Sequence, residues 1–331
     1  MNYEPGAIWS ISNQILYNSR FNTVQNIIIM QGVKSLVKVL NYCEFLISFS
    51  NREGNLVYAD GEEITDAVRD LCFHSGLVSL ILLDDSGKRH KESKYAYKLR
   101  SERVSFIGDM LTRNGSKPEI LLNRDIRNSF AHIDEKLADI LSYESDIGWN
   151  FNYVSTNKMN NKPEGISKIK YFNSYIISEK RIIHLDYEID VVKLREECKT
   201  IFNMFTKTIL VDAVNTFVVD GKINQELHEL VETYPNKKII LTNADDEQIK
   251  EFGLENLPYE LFTLKHNPDK VDPEYFTKML EEYNLKPDEV IYFEHNRDAV
   301  KSAESVGIKT HYYDKDKKDL NILKQFLDSN L

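Results

Sequence analysis

Paired cysteines and long apolar runs are both missing from this chain of 331 residues. Its three cysteines, Cys43, Cys72 and Cys198, stand apart, with no C-x-x-C pair and no histidine at zinc-ligand spacing. A disulfide framework or a structural zinc site is therefore not expected. No stretch approaches the roughly 20 apolar residues of a membrane-spanning helix, and the first ten residues lack the pattern of a signal peptide. These absences predict a cytoplasmic protein with no membrane partner.

A surplus of basic residues is missing as well. The formal net charge is -10, and residues 209–331 account for all of it, with 15 Lys and Arg against 25 Asp and Glu. Residues 1–208 hold 27 of each kind. Nucleic-acid-binding domains usually carry a basic surplus. The charge balance therefore permits RNA binding by the N-terminal half but gives it no support.

The apolar spacing changes character along the chain. In the N-terminal part it predicts helices over residues 21–49, 62–83 and 92–112, then a helix that begins at Lys117-Pro118-Glu119. Two β-rich runs, Ile169–Ile177 and Arg181–Ile189, predict a hairpin, followed by a helix over residues 190–206.

After Lys207, strand, turn and helix alternate, which is typical of a parallel sheet with helices on both faces. We therefore predict a multidomain chain of α and α/β class. Residues 1–207 form an α-helical bundle with a small β insertion at about 150–190, and residues 208–331 form a Rossmann-like parallel sheet. The predicted strands are Thr208–Val211, Lys238–Leu241, Val290–Phe293 and Lys309–Tyr313.

One predicted helix carries Arg127-Asn128-Ser129-Phe130-Ala131-His132. Metal-independent RNA cleavage needs a group that titrates near neutral pH, such as His132, and a fixed cation for the phosphate, such as Arg127. At roughly 100° per residue these two lie on different faces of a helix, whereas Arg124, Asn128 and His132 share one stripe. Either the Arg127 side chain reaches round the helix, or two copies of the helix line one cleft in a dimer.

Spacing alone does not single out this stretch. From 12 Arg and 8 His in the sequence, about 0.3 Arg-x4-His matches are expected by chance, and a second one exists at Arg69 and His74. That pair is the alternative site. A structural role is also open, in which Arg127 pairs with a neighbouring acid and His132 packs inside the bundle.

The run IRNSFAHIDEKL resembles the signature of the HEPN superfamily, helical domains in which R-N-x-x-x-H marks metal-independent ribonucleases, many of them toxins or phage-defence effectors. The resemblance implies His132 as general acid/base, Arg127 as the phosphate cation and Asn128 as the positioning amide, with no cofactor. We expect Arg124 to contact the substrate. The implied partners are RNA, a second copy of the chain in a homodimer, and a protein partner such as an antitoxin.

Polar residues also collect where the predicted C-terminal strands end. Their order resembles that of the haloacid dehalogenase (HAD) superfamily, which the sequence would match over nearly all of residues 209–331. The resemblance implies Asp212 as nucleophile and Mg2+ as cofactor. The implied metal ligands are Asp212, Glu294 and Asp298, and the implied substrate-binding residues are Thr242, Asn243 and Lys270.

This part of the chain departs from the HAD pattern. Family phosphatases carry Asp-x-Asp, whereas Val214 stands here in place of the second acid and cannot transfer a proton. The spacing from Asp212 to Thr242 leaves no room for a cap domain, so we expect a capless, open site. Our leading hypothesis is a HEPN-type endoribonuclease with a degenerate HAD-like domain in a regulatory or docking role. The alternatives are a Mg-dependent HAD-type phosphohydrolase centred on Asp212 and a non-catalytic protein that binds nucleotide or RNA.

Overall fold

The computed structural model describes residues 23–50, 58–113, 115–131, 146–158 and 163–331. These residues form two compact units, the first from residues up to 112 and 116–202, and the second from residues 113–115 and 203–331. Helices dominate the first unit and a parallel sheet forms the second, which confirms the predicted combination of α and α/β structure. Within the described ranges, no helix has the length and apolar character that crossing a bilayer requires.

Long helices with buried apolar stripes build the N-terminal unit. Leu36 of the first helix and Leu71 of the second have no solvent exposure, and the two helices pack against each other. Apolar residues recurring every three or four positions place one side of each helix in the core. The described helices of this unit are α1 (Thr23–Ser50), α2 (Tyr58–Val78, continued by a π-helical turn over Ser79–Leu83), α3 (Lys94–Arg113), α4 (Arg124–Ala131) and α5 (Val191–Thr206).

Helix α4 begins later than the sequence pattern predicts. The expected start at Lys117 is wrong, because Asn123 caps the helix: its side-chain oxygen accepts hydrogen bonds from the N–H groups of Asp125 and Ile126. The preceding N–H groups of residues 119–121 are bonded instead to the Glu197 carboxylate of α5. The Glu197 carboxylate thus accepts the N–H groups that were expected to lie in the first turn of the helix.

A five-stranded sheet follows α4 along the chain, with strand order β1-β3-β4-β5 and β2 also paired to β3. The predicted hairpin is confirmed as antiparallel β3 and β4, with Lys180 at φ 51° in the turn. The second β-rich run divides into two strands because Leu185 takes φ 57° and starts another turn. The strands are β1 (Ile147–Phe151), β2 (Val154–Ser155), β3 (Lys168–Ile176), β4 (Arg181–Leu185) and β5 (Tyr187–Asp190).

The C-terminal unit is a parallel sheet in the order β10-β9-β6-β11-β12. All four predicted strands are confirmed, and the edge strand β10 was not predicted. The described strands are β6 (Thr208–Asp212), the short pair β7 (Val218–Val219) and β8 (Lys222–Ile223), β9 (Lys238–Thr242), β10 (Glu260–Thr263), β11 (Val290–Glu294) and β12 (Lys309–Tyr312). The helices between them are α6 (Gln225–Glu232), α7 (Asp246–Glu251), α8 (Pro273–Glu282), α9 (Arg297–Ser305) and α10 (Leu320–Asn330).

Successive residues of the central strands enter two separate apolar cores. Ile209 and Val211 of β6 belong to one cluster, while Leu210 belongs to the other. Side chains alternate across a strand, so a strand buried on both faces reads as a continuous apolar run. The two cores fix the register of the sheet, and they bring the carboxyl ends of β9, β6 and β11 side by side.

Candidate functional site

The three adjacent strands β9, β6 and β11 end in polar residues at the same edge of the sheet. Asp212 closes β6, Thr242 closes β9 and Glu294 closes β11. The pairing places Asp212 beside Leu241 and Phe293 beside Val211, so these three ends are level with one another. Ligands of such sheets bind beyond the carboxyl ends of the strands. This edge is the candidate functional site.

A buried lysine joins the two carboxylates. The Nζ atom of Lys270 lies 2.5 Å from Asp212 Oδ1 and 2.7 Å from Glu294 Oε2. Lys270 is 7% exposed, Asp212 1% and Glu294 0%. The Lys270 N–H donates to the Asn243 side-chain oxygen at 2.8 Å, which fixes the backbone that carries the ammonium. The Tyr292 hydroxyl also donates to Glu294 Oε2.

A histidine engages the remaining oxygen of each carboxylate. The Nδ1 atom of His295 lies 2.5 Å from Asp212 Oδ2 and 3.1 Å from Glu294 Oε1. The Thr216 hydroxyl donates to Asp212 Oδ2 at 2.6 Å, and the Asn296 N–H donates to Glu294 Oε1 at 2.8 Å. With a side chain 21% exposed, His295 is more open to solvent than the two acids or Lys270.

Electrostatics hold this cluster in its charged form. Burial would lower the pKa of Lys270, but the neighbouring Asp212 and Glu294 carboxylates outweigh it and raise the pKa. Burial would likewise raise the pKa of Glu294, but Lys270 and the hydrogen bond from His295 hold it well below its usual range. The pKa of His295, which burial would lower, rises to about 9 because of its hydrogen bonds to Asp212 and Glu294. At neutral pH both nitrogen groups carry positive charge opposite the carboxylates.

The structure brings most of the C-terminal site residues together, but not all. Thr242 is buried, and its hydroxyl accepts from the Ala244 N–H at 3.2 Å. Asp298 lies in the first turn of α9, where its 71% exposed side chain pairs with Lys301 at 2.8 Å. The group of possible metal ligands found among the described residues is Asp212, Glu294 and His295, whose ligand atoms all lie within 4.8 Å of one another.

Burial of the acids overturns one expectation and reveals contacts that sequence reasoning missed. We expected an open site, whereas Asp212 and Glu294 are almost fully enclosed. Tyr292 and Thr216 were not singled out, although each contacts a carboxylate. The i,i+2 spacing of Tyr292 and Glu294 on a strand places both on one face and could have indicated the first contact. The contact of His295 with Asp212 joins residues 83 positions apart, which sequence spacing does not indicate.

The N-terminal motif is described in part. His132 and the side chains of Arg124 and Arg127 lie outside the described residues. Asn128 is half-buried and has an interaction partner. Ser129 is fully buried. The motif residues up to Ala131 therefore lie on a helix, as predicted, with one side of it in the core.

A buried histidine supports that helix from the sheet. His184 on β4 has no solvent exposure; its Nε2 lies 3.3 Å from the Ser129 carbonyl oxygen and its Nδ1 lies 2.9 Å from Asn173 Oδ1. Its ring also packs 4.9 Å from the ring of Phe172. Burial lowers the pKa of His184 to about 4, despite the opposing hydrogen bond to Ser129. This histidine is therefore neutral at physiological pH and has a structural role.

The alternative pair at Arg69 and His74 is engaged locally. The Arg69 guanidinium lies 2.9 Å from the Asp66 carboxylate and 3.5 Å from that of Asp70. The His74 Nδ1 atom is buried without a hydrogen-bond partner, and burial lowers the pKa of His74. A cation flanked by two acids is poorly placed to bind a phosphate. This geometry does not favour the alternative site.

Comparison with known proteins adds no name to either site. No family model, curated protein sequence or solved structure matches the chain.

Proposed function

We propose that the C-terminal unit hydrolyses phosphate esters with a divalent cation and that Asp212 is the nucleophile. The carrying observation is the buried Lys270 ammonium between Asp212 and Glu294 at the carboxyl edge of the sheet. The proposed fold of this unit is a capless HAD-like one, which the order of Asp212, Thr242, Lys270 and Glu294 supports. We place this phosphatase ahead of the ribonuclease hypothesis because the structure describes the Asp212 cluster, whereas His132 lies outside the described residues.

The energetic cost of this cluster supports a functional origin. Two carboxylates and an ammonium have been moved out of water, and apolar residues of similar size would stabilise a fold at least as well. Ionisable groups with perturbed pKa values in such a position are typical of catalytic and binding sites. The location beyond the ends of parallel strands is also where this class of sheet binds ligands.

The chemistry follows from the positions of the donors. A bound divalent cation would compensate the charge of Asp212 and Glu294 and so release the Lys270 ammonium from them. Lys270 and the Thr242 hydroxyl would then bind oxygens of the transferred phosphate. An oxygen of Asp212 attacks phosphorus while the bond to the leaving oxygen breaks, and water then hydrolyses the acyl phosphate. The attacking oxygen of Asp212 must first lose its present partner, which is Lys270 for Oδ1 and His295 for Oδ2.

The leaving group receives no proton from the residue at position 214. Val214 has no ionisable group, so the departing oxygen must carry its own negative charge. We therefore expect hydrolysis of esters with weakly basic leaving groups, such as p-nitrophenyl phosphate or an acyl phosphate, and little hydrolysis of phenyl or alkyl phosphates.

A pair of substrates and a pair of variants test this proposal. The wild-type protein should release p-nitrophenolate in the presence of Mg2+ or Mn2+, and EDTA should stop the reaction. Asp212→Asn should abolish activity, whereas Asp288→Asn, an exposed acid on a 3-10 turn of the same unit, should retain it. Equal activity of Asp212→Asn and wild type would contradict the assignment. So would the absence of hydrolysis by wild type of both p-nitrophenyl phosphate and an acyl phosphate.

A second proposal concerns the N-terminal unit. We propose that Arg127, Asn128 and His132 form a metal-independent ribonuclease site of HEPN type, with Arg124 as a further RNA contact and two copies of the chain completing the cleft. The observation that favours this motif over the alternative Arg69/His74 pair is that Arg69 forms ion pairs with Asp66 and Asp70. In that case the C-terminal unit regulates the nuclease or docks a partner such as an antitoxin.

RNA cleavage in EDTA tests the second proposal. His132→Ala should lose the activity, and His90→Gln, which alters an exposed histidine of the same unit, should keep it. Two inactive proteins, His132→Ala and Arg127→Ala, should recover activity when mixed, because a heterodimer assembles one site with both residues intact. Cleavage by His132→Ala at the wild-type rate would refute the site, and failure of the mixture would refute the shared cleft.

A further inference from the structure

Each carboxylate of the candidate site divides its two oxygens between two partners. Asp212 Oδ1 and Glu294 Oε2 contact Lys270, whereas Asp212 Oδ2 and Glu294 Oε1 both face His295 Nδ1, at 2.5 Å and 3.1 Å. Three atoms able to bind a metal ion therefore converge on the side of the cluster away from the ammonium. Two are carboxylate oxygens and the third is an imidazole nitrogen.

We propose that Asp212 Oδ2, Glu294 Oε1 and His295 Nδ1 bind a first-row transition metal such as Mn2+ in preference to Mg2+. The inference rests on the proposed function, whose divalent cation it identifies. Mg2+ is held mainly by carboxylate, phosphate and water oxygens. Imidazole nitrogen suits first-row transition metals better than it suits Mg2+, and carboxylate oxygens suit Mn2+ as well as Mg2+.

A metal ion bound by these three atoms would replace the proton that His295 Nδ1 shares with the two carboxylates, and the present distances are near those that such an ion requires. Donor atoms that share a six-coordinate ion at about 2.1 Å lie about 3 Å apart when adjacent. The Nδ1 separations of 2.5 Å and 3.1 Å are already close to that value. Asp212 ends β6, Glu294 ends β11, and His295 follows Glu294 directly. The buried sheet holds these positions in place.

Neighbouring groups orient the donors and lower the negative charge of the site. The Thr216 hydroxyl and the Asn296 N–H each hold one of the ligating carboxylate oxygens, as outer-shell donors do in metal sites. Lys270 offsets one of the two carboxylate charges. Lower negative charge weakens the attraction of every divalent cation, so the preference for Mn2+ over Mg2+ comes from the imidazole nitrogen. Asp298, paired with Lys301 on the exposed face of α9, supplies no third carboxylate.

Metal binding by the intact protein tests the inference without any substrate. After treatment with EDTA and dialysis, wild-type protein should bind Mn2+ more tightly than Mg2+ in calorimetric titrations, and pulsed electron paramagnetic resonance of bound Mn2+ should show coupling to an imidazole 14N nucleus. Replacing His295 by Asp should remove that coupling and reduce the difference between the affinities for Mn2+ and Mg2+, because a third carboxylate suits both ions. His90→Gln should bind Mn2+ as wild type does.

The possible results separate this inference from the proposed function. Nitrogen coupling that vanishes in His295→Asp supports the inference even if no phosphate ester is hydrolysed. Equal affinities for Mg2+ and Mn2+, or Mn2+ binding without nitrogen coupling, overturns it, and hydrolysis supported by Mg2+ would then still stand. Unchanged nitrogen coupling in His295→Asp also overturns it, because another histidine would then be the ligand.

Discussion

Removal of the Lys270 ammonium is the sharpest test of the buried charge cluster. Lys270→Met keeps the length of the side chain but leaves Asp212 and Glu294 without the cation that lies 2.5 Å and 2.7 Å from their oxygens. Both acids are at most 1% exposed, so water cannot take its place. Breaking a buried pair by removing one partner typically costs about 3–5 kcal/mol. We expect a loss of that size in the free energy of unfolding of the C-terminal unit.

A second substitution distinguishes lost charge compensation from lost packing. Adding Glu294→Gln to Lys270→Met removes the carboxylate charge that His295 alone cannot offset, so part of the stability should return, about 1–3 kcal/mol of coupling. Urea unfolding, monitored by hydrogen–deuterium exchange of peptides from β6 and β11, measures the stability of the C-terminal unit directly. A loss below about 1 kcal/mol for Lys270→Met, the range of an exposed ion pair, would refute the buried bridge.

Two further predictions concern stability. The pKa of His184 is about 4 in the folded chain, below its unfolded value of 6.5. The unfolded chain therefore binds the proton more tightly, and the free energy of unfolding of the N-terminal unit should fall by up to about 3 kcal/mol as the pH falls from 6.5 to 4. Tryptophan fluorescence during urea unfolding reports on the stability of that unit, because both tryptophans precede residue 202. A His184→Gln variant with the same pH dependence as wild type would contradict the assignment. Gly253→Ala should destabilise the C-terminal unit by at least about 1–3 kcal/mol, because Gly253 takes φ 69° and an added Cβ would lie 2.6 Å from the Gly221 carbonyl oxygen; a wild-type thermal midpoint would refute this.

The sequence predicted the sheet of the C-terminal unit well because its strands are buried on both faces. A strand such as β6, Thr208–Asp212, reads as an unbroken apolar run, and the polar residue that ends it marks the carboxyl edge. Three of the five strands, β6, β9 and β11, were found in this way, and the edge strand β12 was predicted although none of its residues is fully buried. The edge strand β10, Glu260–Thr263, was missed because it lacks a continuous buried apolar run.

Features decided by distant side chains were not predictable. The start of α4 depends on Glu197, which bonds the N–H groups of residues 119–121 from a helix about 75 positions later in the sequence. The contact of Lys270 with both carboxylates joins residues 58 and 24 positions away. Composition and periodicity describe only near neighbours, so they identified the polar residues at the strand ends but not the pairs that these residues form.

A second buried cation in the chain shows what a structural role looks like. Arg100 in the N-terminal unit pairs with Glu92 and donates to the carbonyl oxygens of Asp84, Ser86 and Gly87, which fixes the loop after α2. In the described structure the Lys270 ammonium contacts only side chains, those of two acids and a tyrosine. It holds no loop in place, and apolar residues could fill the same volume at lower cost. The burial of this charge is therefore better explained by a ligand than by the fold, which is the reason to look first for a cation and a phosphate at this edge of the sheet.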